Sequence, residues 1–170
     1  MISKNTCPVR DREGSQRVFI SNGIKDTERI AKDFLIKILK LKNNNATIIG
    51  LYGDLGVGKT AFTQAVAKIL GVKRKVNSPT YVIMKKYKFT SPPTPLLKGE
   101  GRNFKFLFHL DAYRLKNEKE LLHLGWEEII SNPENLIFIE WSENVLKALP
   151  KKHHKIRITH TKEGHRKFKI

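Results

Sequence analysis

The sequence predicts an α/β fold: one three-layer domain with a mostly parallel central sheet and antiparallel additions. Three observations carry this. "ATIIGLYG" is an almost unbroken apolar run ending in glycine, and "NLIFIEW" is a second such run. Runs of that kind suit strands covered on both faces, as in the middle of a parallel sheet. Segments of helical periodicity alternate with them, which is the pattern of an α/β domain. The length of 170 residues, 39% hydrophobic, fits a single domain with an ordinary core.

Each element can be read in order. Residues 1–16 are polar and mixed in charge, and are expected to form a poorly ordered N-terminal extension. "RVFISN" reads as a short strand. Apolar Ile30, Ala31, Phe34, Leu35, Ile38 and Leu41 recur at helical spacing, so a helix is expected over 27–41 with Asp26 or Thr27 as its cap. "LKNNNA" breaks it, and "ATIIGLYG" is the first buried strand. After a glycine-rich turn, Lys59 to Leu70 reads as a helix, and Gly71 ends it. "TYVIMKKYKF" and "FKFLFHLD" are two further strands. The proline-rich "TSPPTPLLKGEGR" between them cannot continue either strand, and reads as an exposed insertion at about 90–103. "NEKELLHLGWEEII" is helical in two pieces broken near Gly125. "NLIFIEW" is the second buried strand. "SENVLKAL" is a short helix with Ser142 as its cap. "KIRITHT" and "RKFKI" close the chain as an antiparallel pair around "KEGH". Residues 17–170 therefore form one domain.

Composition narrows the setting. No apolar run approaches the ~20 residues that span a bilayer. The first residues lack the apolar centre of a signal peptide, and the single cysteine, Cys7, cannot form an internal disulfide. These features place the expected location in the cytoplasm, with no membrane partner. The net charge is +17. It is concentrated: Lys73 to Lys105 holds nine basic residues and one acid, and Lys151 to the end holds eight and one. Two readings stay open, a lysine-rich solvated surface or a basic face toward RNA or an acidic partner.

The chemistry begins at "GDLGVGKT". It matches G-x-x-x-x-G-K-[ST], with Gly53, Gly58, Lys59 and Thr60 at the fixed places. Glycines let the backbone turn tightly and aim N–H groups at phosphate oxygens. The helix that starts near Lys59 adds a positive dipole end. Lys59 would reach the β- and γ-phosphates, and Thr60 would offer its hydroxyl to Mg²⁺. A chance match in a glycine-bearing turn is the bland alternative; the strand before and helix after argue against it. No N-K-x-D motif for guanine is present, so ATP or ADP is the expected nucleotide.

Glu140 ends the second buried strand, where an acid would hold Mg²⁺ directly or through water. Aspartate is more usual there. Asp111 ends "FKFLFHLD", where it could orient or deprotonate water, or bind Mg²⁺; its bland reading is a turn residue. Thr80 in "NSPTY" could sense the γ-phosphate, or belong to a plain turn. His109 is read as a packed polar side chain without a role. The remaining histidines lie in basic surroundings and make no metal site.

"GLYGDLGVGKT", "VNSPTY", "FHLDAYRL", "ELLHLGWEEI" and "FIEW", in that order, resemble the TsaE (YjeE) family, small ATPases of bacterial tRNA N6-threonylcarbamoyladenosine synthesis. The likeness runs from about Arg17 to about Lys169. It implies a P-loop NTPase-type domain that binds ATP or ADP with Mg²⁺. Gly53 and the run Leu55, Gly56, Val57, Gly58, Lys59, Thr60 and Ala61 would wrap the phosphates, and Thr60 and Glu140 would hold the metal. Asp111 falls on the family's functional aspartate, and Thr80 and Tyr81 in what looks like its switch loop. Lys59, Asp111 and Glu140 are the expected catalytic set. The partners would be TsaD and TsaB, which modify adenosine 37 of tRNA, with tRNA met indirectly or through the basic surface. Three features depart from the family: Ala61 where a second threonine is commoner, the long insertion, and the N-terminal extension. "EGHRK" near the C-terminus falls where the family can contact nucleotide, through His165 or Arg166. Rival readings are a P-loop small-molecule kinase and an ATP-switched tRNA-binding module; no lid segment rich in arginine supports the kinase.

Overall fold

The computed structural model describes residues 9–10, 17–79, 82–89 and 103–170. Among the described residues the strands are β1 (Val9–Arg10), β2 (Arg17–Ser21), β3 (Thr47–Tyr52), β4 (Met84–Lys88), β5 (Phe106–Asp111), β6 (Asn135–Glu140), β7 (His154–His160) and β8 (Arg166–Lys169). The α-helices are α1 (Ile24–Leu39), α2 (Lys59–Ile69), α3 (Glu118–Leu122) and α4 (Trp126–Ser131), with a 3-10 helix at Ser142–Ala148.

All strands join one sheet in the order β1-β2-β8-β7-β3-β6-β5-β4. The four central strands, β7, β3, β6 and β5, are mutually parallel. Every pairing outside them is antiparallel. This is the predicted parallel centre with antiparallel additions on both sides.

The apolar runs are central for the expected reason. β3 and β6 are buried at every position. Their side chains alternate between two cores. Ile49, Leu51, Leu136 and Phe138 face α1 and α2, while Ile48, Ile137 and Ile139 face the layer of Leu121, Trp126 and Val145. Period-two alternation on a doubly covered strand makes the third layer obligatory. Phe62 of α2 anchors the first core. Its ring meets Phe34 at 5.9 Å, Phe168 at 5.6 Å and Phe138 at 6.3 Å, tying α1, β8 and β6 to the helix that opens the phosphate loop.

Three local readings are corrected. α1 starts at Ile24, before the expected 27, with Gly23 rather than Asp26 or Thr27 as its N-cap. Asp26 instead accepts from the Asn22 N–H at 2.9 Å, reaching back across the first turn. Ser142 does not cap the 3-10 helix. Its hydroxyl donates to the Ile139 carbonyl at 2.6 Å, and the cap position is Trp141 in the left-handed region. The strand expected from Thr80 starts only at Met84, because Ile83 has φ 60°, which no extended strand accommodates. Among the described residues, no helix is long and apolar enough to cross a membrane. The N-terminal extension and the 90–103 insertion lie outside the described residues, apart from residues 9–10 and Asn103.

Candidate phosphate-binding site

β3, β5 and β6 end side by side at the carboxyl edge of the sheet. Register places Leu51 beside Glu140, and Glu140 beside Asp111. That edge is where parallel α/β sheets bind ligands. The loop after β3 turns back there into α2.

The loop's glycines are required by its geometry. Gly53 has φ 136°, and a Cβ on it would sit 2.1 Å from the Ile158 carbonyl oxygen. Gly58 has φ 106° and is the N-cap of α2, with no side chain bonded to that helix end. The first-turn N–H groups are therefore left for the loop interior, and the dipole favours an anion there. Val57 is buried and pins the loop to the core, whereas Leu55 at the tip is 80% exposed.

Lys59 is only 4% exposed. Its ammonium donates to the Gly53 carbonyl at 2.5 Å and the Asp54 carbonyl at 2.9 Å, and lies 3.8 Å from the centroid of the Trp141 ring. Burial pushes its pKa below the ordinary lysine value, against the carboxylates of Glu140, Glu143, Asp111 and Asp54. Trp141 itself sits at φ 57°, a strained position for a bulky residue, of the kind that clusters at functional sites.

The Thr60 hydroxyl donates to Glu140 Oε1 at 2.7 Å. The same oxygen lies 2.7 Å from His109 Nε2. His109 is fully buried and Glu140 is 4% exposed, so two donors converge on one carboxylate oxygen in a dry setting. His109 Nδ1 is buried without a hydrogen-bond partner. The role withheld from His109 on sequence grounds needs correction: it is the buried neighbour that fixes the Glu140 carboxylate. A hydroxyl and a carboxylate oxygen this close form a hard-oxygen pair of the kind Mg²⁺ takes together with phosphate oxygens.

Asp111 is also 4% exposed. Its Oδ2 accepts from the Ser78 hydroxyl at 2.8 Å and its Oδ1 from the Tyr113 N–H at 3.0 Å. Asn144 holds the next residue through the Ala112 carbonyl at 2.9 Å. Asp111 is thus a turn residue whose carboxylate also holds Ser78, the second residue of "NSPTY". Thr80 and Tyr81 lie outside the described residues. At the other end of the loop, Arg166 Nε donates to the Val57 carbonyl at 3.0 Å and lies over Gly58. Of the two C-terminal candidates, Arg166 is the one that reaches the loop. Gly53, Leu55, Gly56, Val57, Gly58, Lys59, Thr60 and Ala61 surround one helix end, with Asp111 and Glu140 on the neighbouring strands.

The family model for the threonylcarbamoyl adenosine biosynthesis protein TsaE matches residues 22–168. The chain belongs to the TsaE family. A curated TsaE from Rickettsia bellii is 39% identical, covering 77% of this chain and 78% of its own length. TsaE from Bacillus subtilis is 33% identical over 71% of this chain and 66% of that protein. The crystal structure of Bacillus subtilis YdiB superposes with a TM-score of 0.65 at 26% identity, covering 91% of this chain and 84% of the other.

Proposed function

We propose that this TsaE-family chain is the ATP-binding, slowly hydrolysing accessory protein of the tRNA N6-threonylcarbamoyladenosine machinery, acting in the cytoplasm to support turnover of a TsaD–TsaB complex. The observation that carries the nucleotide half is the convergence of Lys59, Thr60 and Glu140 on the uncapped start of α2. The pathway half rests on the family match.

The chemistry assigned to each residue is specific. Lys59 exchanges the Gly53 and Asp54 carbonyls for β- and γ-phosphate oxygens, a trade of neutral acceptors for charged ones. Gly56, Gly58 and the first turn of α2 present backbone N–H groups to the phosphates. Thr60 and Glu140 would hold Mg²⁺, which would supply positive charge against the phosphates. His109 keeps the Glu140 carboxylate in place. Asp111 orients the attacking water, and Ser78 transmits its position to the "NSPTY" loop. A change in that loop between nucleotide states would alter the surface offered to partners. This requires states that differ in partner affinity.

The test is reconstitution with TsaD, TsaB, threonylcarbamoyl-adenylate and tRNA. With ATP, this chain should support many modification rounds, and alone it should release free phosphate slowly. Equal multi-turnover modification without the chain, or a small molecule labelled from γ-labelled ATP, would overturn the reading.

A further inference from the structure

A cleft of about 410 Å³ opens at the other end of the sheet, lined by Val72, Lys73, Arg74, Lys86, Tyr87, Lys88 and Phe106. Its place is fixed by register: Lys88 ends β4 opposite Phe106, the first residue of β5. It therefore lies toward the amino edge, away from Lys59 and Glu140. β4 is the outermost strand on this side.

The lining combines two features. Four of its seven residues are cationic and none is acidic. Lys73, Arg74, Lys86 and Lys88 are all exposed, and among the described residues none of the four is in an ion pair. The apolar members are less exposed. Tyr87 is buried and Phe106 half-buried, with the Lys86 ammonium 4.0 Å from the Phe106 ring centroid. Lys86 is thus held at the mouth by the ring face. Lys86 and Lys88 share one side of the strand, about 7 Å apart along it, a spacing comparable to that of successive phosphates on a nucleic-acid strand.

We propose that this cleft binds RNA, with Lys73, Arg74, Lys86 and Lys88 on the phosphates of one strand. The proposal takes its choice of nucleic acid from the pathway reading above. A membrane fits less well, because interfacial binding needs apolar groups that project, and here Tyr87 is buried and Val72 and Phe106 are half-buried. The rest of the surface adds long-range attraction: the net charge of +17 favours encounter with any polyanion. The cleft supplies the local geometry.

The experiment measures anisotropy of fluorescent tRNA with the full chain alone, across a salt series. The triple variant Lys73→Ala, Arg74→Ala, Lys88→Ala is compared with a charge-matched control, Lys151→Ala, Lys152→Ala, Lys162→Ala. The cleft variant should bind at least ~10-fold more weakly, with a log–log salt slope shallower by about 2, as three lost phosphate contacts on a single strand imply. The control should stay within about twofold of wild type. Unchanged ATP·Mg²⁺ affinity and melting temperature in both triples would show that the fold is intact. Equal losses in the two triples would overturn the proposal in favour of bulk charge. Intact tRNA binding with weakened binding to TsaD–TsaB would overturn it in favour of an acidic protein partner. Neither result depends on reconstituted turnover, so the pathway reading can fail while the cleft binds RNA, and the reverse.

Discussion

At the carboxyl edge of the sheet, Lys59, Asp111 and Glu140 are each 4% exposed and His109 is fully covered. At the amino edge beside β4, Lys73, Arg74, Lys86 and Lys88 stand in solvent. The first group is fixed by short hydrogen bonds; in the second, Lys86 rests on the Phe106 ring and none of the four is in an ion pair among the described residues. Burying a charge costs several kcal/mol unless partners are in place, so a chain accepts it only where position matters. Exposed cations cost little and act over a Debye length of about 8 Å at physiological salt. One end of the molecule is built for geometry and the other for field.

On that contrast, the largest effect comes from removing Lys59, the one buried lysine or arginine among the described residues. Lys59→Ala takes away the group proposed to meet two phosphates. Affinity for ATP·Mg²⁺ should fall about 100-fold, equivalent to ~2.7 kcal/mol, in the range for charge-assisted bonds. Thr60→Ala should weaken binding less, and chiefly its Mg²⁺ dependence. Calorimetry with and without Mg²⁺ separates them. Wild-type affinity in both would remove the carboxyl edge as the nucleotide site.

The second effect is on rate. Asp111→Asn and Glu140→Gln keep shape and remove charge. Each should cut phosphate release at least ~10-fold, about 1.4 kcal/mol of transition-state stabilisation. The melting temperature should stay close to that of the wild type, because each amide keeps the shape and an acceptor oxygen for its neighbours. A lower melting temperature with normal turnover would make these carboxylates structural.

The same contrast explains what could be read from sequence. The loop was legible because "GDLGVGKT" is contiguous, and its chemistry fixes residue types at fixed spacing. Glu140 and Asp111 were legible because each ends an apolar strand. His109 was not: a lone histidine inside "FLFHL" looks like packing until register shows Glu140 within reach. Ser78 was overshadowed by Thr80 in the same short motif. Arg166 reaches Val57 across 109 residues of sequence, a contact that only strand order creates. The placement of β8 between β2 and the parallel centre, and of β7 beside β3, was likewise invisible, since pairing partners far apart in sequence leave no local pattern. The start of α1 was missed because Ile24, 58% exposed, does not belong to the apolar stripe that marked the helix.

One amino-edge group breaks the rule of exposed charge, and it offers the smallest but sharpest test. His154 begins β7 opposite Ile49, and its ring stands edge-on to Phe34 at 6.2 Å. Burial lowers its pKa below the ordinary 6.5, and the positive charges of Lys37 and His153 add to the shift. The unfolded chain therefore takes up this proton at higher pH than the folded one. Stability from the neutral ring is complete above about pH 6.5 and is lost as pH falls toward the lowered folded value. His154→Gln cannot titrate. It should melt lower than wild type near pH 7, having lost the ring contact, yet show a shallower fall in melting temperature between about pH 6.5 and pH 5. Parallel melting curves across that window would mean that His154 is solvated like its lysine neighbours. The amino edge would then bury no titratable group at β7, and the division between a geometric end and a field end would be complete there.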